Sequence, residues 1–133
     1  MKMRPEFAER LQRAYYLWFT TVRDDGMPQL TPVWFIEEQG TFLLYSMPDT
    51  QKVRNLQTNS LVALSYNESD DAEDYVVIMG EAKIDRSAPP AIQNAAYMEK
   101  YRQGISDINM TPDSFTRSFS TPIRVVPLRV RGE

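Results

Sequence analysis

Apolar positions change period several times along the chain, and each change marks an element. Within residues 5–14, Phe7, Leu11 and Ala14 recur at spacings of four and three. This predicts a short amphipathic helix with proline in its first turn. From Tyr15 the texture turns aromatic and β-branched in YYLWFTTVR; DDGM interrupts it and PQLTPVWFIEE resumes it. Two strand-like runs split by Asp-Asp-Gly predict a hairpin, with Gly26 supplying the positive φ. Pro28 and Pro32 lack amide hydrogens, so the second strand is expected to have an edge or a bulge there.

Gln39-Gly40 turns the chain into the strand TFLLYS, and YSMPDTQKVRNL then predicts a helix over roughly residues 51–58. SLVALSY reads as a compact strand and YVVIMGEAKID as a long one, with Gly80 a bulge or bend site. The acidic segment NESDDAED between them holds Glu68, Asp70, Asp71, Glu73 and Asp74. It lacks the glycine and the alternating ligand register of a calcium loop and reads as a solvated hairpin tip. Pro89-Pro90 opens a helix over roughly residues 91–102, with Ala95, Met98 and Tyr101 as its buried row. A second helix is expected over residues 112–119, capped by Thr111, before TPIRVVPLRVR closes the chain as a strand. Five to seven strands joined as hairpins, with short helices between them, predict an antiparallel barrel or sheet of mainly β (α+β) character. The strand–helix alternation and Gly-rich phosphate loop of a parallel nucleotide-binding sheet are missing.

Composition narrows the chemistry. The 133 residues, 42% hydrophobic and 25% charged, suit one globular domain over residues 1–133. There is no cysteine and no histidine. Disulfides, thiolate metal sites, cysteine nucleophiles, serine–histidine triads and zinc hydrolases are therefore excluded. A net charge of -3 gives no general attraction to nucleic acid or to an anionic membrane, so anion binding requires a local cluster of cations. Residues 1–13 carry charges throughout and lack an apolar signal core, and no run is long enough to span a membrane. A cytoplasmic location is expected.

Two stretches invite a ligand. In YSMPDTQKVRNL, Asp49 or Thr50 suits a helix cap, yet Lys52 falls in the first turn, where a cation opposes the macrodipole, and Arg54 follows it. Either the charges point into solvent or a phosphate or carboxylate lies among them. In TPVWF, both faces of the strand are apolar, which suits a flat aromatic ligand or ordinary core packing. Tyr97 and Tyr101, one helical turn apart beside Lys100 and Arg102, form a plain amphipathic face or else a ligand or dimer wall. Arg124, Arg129 and Arg131 suit the solvent face of the last strand, although one of them could reach a phosphate.

Four segments carry a family resemblance: FTTVRDDGMPQLTPVWF, YSMPDTQKVRNL with LVALSY after it, GEAKI, and YMEKYRQGISDINMTPDSFTRSFSTPIRV. Together they cover nearly all of residues 17–131, and in order and spacing they resemble the pyridoxamine 5′-phosphate oxidase-like split-barrel superfamily of flavin and deazaflavin oxidoreductases. The last segment is similar to a subgroup of F420-dependent enzymes. The resemblance implies a six-stranded antiparallel split β-barrel with short flanking helices, and a homodimer with cofactor sites at the interface. It implies F420, or alternatively FMN, as cofactor and hydride transfer to a small organic acceptor. A flavin- or F420-sequestering protein without turnover is the alternative. By position, Ser46, Thr50, Lys52 and Asn55, with Arg54 after them, become phosphate-side candidates. Thr31, Pro32, Val33 and Trp34 become ring-side candidates. The histidine that the phosphorylated-vitamin oxidases use has no counterpart, nor does their C-terminal substrate segment after Pro127. Oxidation of pyridoxamine phosphate itself is therefore not expected.

Overall fold

The computed structural model describes residues 3–132; Met1, Lys2 and Glu133 lie outside the described residues. The expected helix opens the chain as α1 (Pro5–Arg13), with Phe7 and Leu11 buried. A hairpin follows, β1 (Leu17–Val22) and β2 (Pro28–Val33), with Gly26 at φ 86° in its turn. Next come β3 (Ile36–Glu38), β4 (Thr41–Ser46), α2 (Gln51–Leu56), β5 (Leu61–Asn67) and β6 (Tyr75–Ile84). A single 3-10 turn at Ala91–Gln93 leads into α3 (Ala95–Asp107), α4 (Pro112–Ser118) and β7 (Thr121–Gly132).

The strands form one antiparallel sheet of seven, in the order β2-β1-β5-β6-β7-β4-β3, rather than the six expected. The extra strand arises because PQLTPVWFIEE does not run through as one piece. It breaks at Trp34 and Phe35, and its two halves lie at opposite edges of the sheet. The cause is a competitor for the ladder. The Phe35 amide donates to Tyr101 Oη at 2.7 Å, and the Phe35 carbonyl accepts from Lys100 Nζ at 3.1 Å, so neither backbone group pairs with a strand. Edge placement accommodates both prolines of β2, as their missing amides require.

Side chains from β2 (Val33), β1 (Leu17, Phe19), β5 (Leu64), β6 (Val76, Ile78), β7 (Ile123, Val125) and β4 (Phe42, Leu44) belong to a single core. An edge strand and a strand near the far edge can share a core only if the sheet curls upon itself, as in the split barrel. The β6–β7 register shifts between Met79 and Gly80, the bulge that the glycine announced. A methyl group on Gly80 would overlap the Val126 carbonyl, so the close approach of β7 excludes a side chain there.

Two details of the helices differ from the sequence pattern. The segment expected over residues 91–102 restarts at Asn94, whose side chain caps α3 by accepting from the Tyr97 amide at 3.1 Å. The restart shifts the helical phase, so Ala95 is exposed and the buried row is Tyr97, Met98, Tyr101, Gly104 and Ile105. In α2, Thr50 occupies the N-cap position, but its hydroxyl turns to Ser46 Oγ at 3.1 Å rather than to a helix amide. The Thr111 cap of α4 is as expected and is completed by Ser114 into a capping box. No helix among the described residues is long and apolar enough to cross a membrane.

Candidate functional site

A second buried cluster lies beside the barrel, where α3 and α4 cover the turn between β2 and β3. Its geometry follows from one tyrosine. Tyr101 Oη accepts the Phe35 amide and sits 2.7 Å from the Tyr15 carbonyl and 2.9 Å from the Phe35 carbonyl, its proton going to one of them. With the backbone held there, the Trp34 ring stacks on Tyr101 at 4.7 Å and 7° and lies 5.7 Å from Phe115. Helix α3 approaches this stack closely enough to need Gly104. A methyl group there would overlap Tyr15 Oη and meet Trp34 at 3.2 Å. Tyr97 stands edge-on to Tyr45 at 4.9 Å, and Tyr45 Oη donates to the Pro89 carbonyl at 2.6 Å. Burial pushes the Tyr97 and Tyr101 phenols far above their ordinary value, so both stay neutral.

Against this aromatic wall lies a cleft of about 170 Å3, whose lining includes Pro32, Val33, Trp34, Tyr45, Tyr97 and Lys52. Lys52 is half-buried, and desolvation lowers the pKa of its ammonium. No carboxylate pairs with it and no hydrogen bond reaches it among the described residues. A second, more open cleft of about 360 Å3 is lined by Tyr16, Trp18, Pro32 and Trp34. Pro32 and Trp34 are common to both.

Four of the nine candidate residues, Pro32, Val33, Trp34 and Lys52, therefore meet at one cleft, although they come from β2, the strand break after it and α2. The other five stand around it differently. Ser46 is buried at the end of β4, and its hydroxyl bonds the Met47 carbonyl and pairs with Thr50. Arg54 is exposed and folds back to the Asp49 carbonyl and to Gln51 Oε1 at 2.9 Å. Asn55 is buried, with its amide committed on both sides. It donates to Thr21 Oγ1 at 2.9 Å and Gln29 Oε1 at 3.3 Å, and it accepts from Gln51 Nε2 at 2.7 Å. It thus ties α2 to the β1–β2 hairpin. Thr31 Oγ1 is buried without a hydrogen-bond partner among the described residues, and Thr31 does not line the cleft.

Tyr45, Ile108, Phe115 and Phe119 also line the cleft and were not singled out by the sequence. Only the spacing of Tyr97 and Tyr101 hinted at a wall. Of the terminal arginines, Arg124 is engaged elsewhere, pairing with Glu38 at 2.9 Å and Asp85 at 3.1 Å. Two acidic residues of the β5–β6 loop are likewise paired, Glu68 with Arg13 at 2.7 Å and Asp74 with Arg10 at 3.4 Å.

Fold and cleft define a split-barrel protein with an apolar, cation-bearing groove beside its strand break. The family profile for pyridoxamine 5′-phosphate oxidase matches residues 3–126, and the chain belongs to that family. Among solved structures, the chain is similar to the conserved hypothetical protein Rv2991 from Mycobacterium tuberculosis, at 22% identity and a TM-score of 0.78. That match covers 98% of this chain and 84% of the other. It is also similar to an F420 reductase, at 23% identity and a TM-score of 0.67 over 90% of each chain. HutZ, the haem storage protein from Vibrio cholerae, matches at 18% identity and a TM-score of 0.67, over 99% of this chain and 95% of that one. At these identities the likeness is one of fold. A comparison with curated proteins finds no match.

Proposed function

We propose that the chain is an oxidoreductase that transfers a hydride between bound F420, or alternatively FMN, and a small organic acceptor. The observation that carries this reading is Lys52, a half-buried ammonium without a carboxylate partner among the described residues, set beside Pro32, Val33 and Trp34. Both cofactors join a flat ring to an anionic tail, and such a ligand needs an apolar wall and a cation in one groove. In this reading Lys52 and Thr50 hold the phosphate, with Ser46 next and Arg54 last. Asn55, its own amide already bonded, serves by holding α2 against the hairpin so that Lys52 keeps its position. Pro32, Val33 and Trp34 line the ring, with Thr31 next to them on β2, its hydroxyl buried behind the strand rather than in the cleft lining. When bound, the ring supplies the hydride chemistry, while the protein binds it, orients it and keeps water away. A chain without histidine or cysteine is compatible with such a division of labour.

The reading includes a homodimer in which the second copy completes each site. The outer face of the sheet supports it. Register places Trp18 opposite Pro32, Thr20 opposite Leu30 and Ala63, and Ala63 opposite Met79, all on one side. Trp18 is 42% and Leu30 55% exposed, an apolar strip that adjoins the more open cleft through Trp18 and Pro32. Titrating the apo-protein with F420 and FMN side by side, with native mass measured on the same sample, tests the proposal. One cofactor binding per subunit of a dimer is expected; binding of neither overturns the reading. The rival, sequestration without turnover, draws on the fold likeness to a haem storage protein. Haem itself suits this chain poorly, because no histidine or cysteine is present to hold iron. Full loading with F420 and no reduction of any acceptor would favour the rival.

A further inference from the structure

A roomier cavity than the Lys52 cleft lies elsewhere in the fold. It lies between α1, the β3–β4 hairpin, the start of α3 and β7, with a volume of about 570 Å3. That falls within the range of sites for small organic ligands, roughly 300–1,000 Å3. Leu11, Ile36, Phe42 and Val130 give it apolar walls from three sides. The cation at its wall is Lys100 of α3, and the carboxylate is Glu37, which accepts from the Gly40 amide at 3.1 Å.

Lys100 is incompletely satisfied where it stands. Its ammonium has three donors, of which the Phe35 carbonyl takes one at 3.1 Å. The rest of the head faces the Phe35 ring at 3.7 Å and the Tyr101 ring at 5.1 Å. Contact with ring faces attracts a cation but does not neutralise it. Neither Glu37 nor any other carboxylate pairs with Lys100 among the described residues. Desolvation draws the ammonium down to about 8. A half-buried cation with unused donors beside a roomy apolar cavity lacks one thing, an anionic acceptor, and the cavity has space for what such an acceptor would be attached to.

We propose that this cavity is a second ligand site, taking a small monocarboxylate with an apolar body. Its carboxylate meets the Lys100 ammonium, and its body lies against Leu11, Phe42 and Val130. The site shares no lining residue with the Lys52 cleft and stands whether or not that cleft holds a cofactor.

Calorimetric titration with decanoate tests this, with decan-1-ol as the uncharged comparison. One decanoate per chain is expected, bound at least about tenfold more tightly than the alcohol. Lys100→Met should weaken decanoate by about tenfold or more and leave decan-1-ol unchanged. Ala96 is exposed and lines the cavity, so Ala96→Trp should block it without disturbing the core, and binding of both ligands should disappear. Lys52→Ala should leave decanoate binding unchanged. No binding of decanoate, equal affinity for the alcohol, or unaltered binding in Ala96→Trp overturns the proposal. Loss of decanoate binding in Lys52→Ala overturns it as well, by assigning the ligand to the other cleft.

Discussion

The barrel interior and the aromatic wall are buried to a similar degree but are built from different chemistry. Inside the barrel, Leu17, Phe19, Leu64, Ile78 and Val125 meet through apolar contact alone. Such a core asks for volume and pattern, and other hydrocarbons of matching shape would serve nearly as well. In the wall, Tyr45, Tyr97, Tyr101 and Phe115 are equally hidden, yet two of the hydroxyls are bonded to backbone from distant segments, at Pro89, Tyr15 and Phe35. A buried hydroxyl is costly unless it is paired, so each such bond fixes where a particular stretch of backbone must lie. The interior curls the sheet. The wall decides where β2 ends, and with it where Pro32 and Trp34 face Lys52.

Mutations in the two regions should separate stability from cleft geometry. Ile78→Ala should have the largest effect on stability, a loss of about 2–5 kcal/mol in urea unfolding. F420 affinity should not change while the protein stays folded; a matching loss of affinity would merge the two regions into one. Tyr101→Phe should cost less, about 1–3 kcal/mol, because it strands the buried Phe35 amide. Its signature is local. Hydrogen exchange at Phe35 should accelerate while the Ile78 amide stays protected, and cofactor affinity should fall. Protection unchanged at Phe35 would show that Tyr101 does not hold the strand break.

The smallest effect on stability comes from titration of the wall and its neighbouring cation. Burial lowers Lys100 from its ordinary 10.5 to about 8. Between those values the unfolded chain holds a proton at this position that the folded chain has released, so stability rises with pH there. Lys52 shifts in the same direction. The Tyr97 and Tyr101 phenols shift oppositely. Near pH 10 they ionise in the unfolded chain while remaining protonated in the fold, and stability falls. Urea midpoints should therefore reach a maximum between about pH 8 and 10, and Lys100→Met should flatten the approach to it. A midpoint falling steadily from pH 7 to 10 in the parent protein would contradict the burial of this lysine.

The same contrast separates what could be read from the sequence from what could not. The barrel was legible because its signals are local: prolines that demand an edge, Gly26 in a turn, Gly80 at a bulge, Thr111 before a helix. The strand break at Trp34 and Phe35 was not, because its cause, Tyr101, lies 66 residues away from Phe35. Nothing within PQLTPVWFIEE marks a break, and that one omission turns six strands into seven. The restart at Asn94 was hidden in a similar way. Ala91 onward has helical composition, and only the capping contact to Tyr97 shows that the phase resets. At the site, family resemblance pointed to Lys52 and to the Pro32–Val33–Trp34 run. The contributions of Tyr45, Phe115 and Phe119 depend on tertiary packing. So does the role of Asn55, whose partners Thr21 and Gln29 lie on another hairpin.

The most direct test of the central claim is a pair of F420 titrations, of the parent protein and of Lys52→Ala, each checked for an unchanged fold by circular dichroism. The claim is that the uncompensated ammonium beside the Pro32–Trp34 wall holds an anionic cofactor. It predicts saturable binding by the parent and a loss of about 1–3 kcal/mol in the variant, as removal of a charge-assisted hydrogen bond requires. Equal affinity in the two proteins would remove Lys52 from the site and contradict the account.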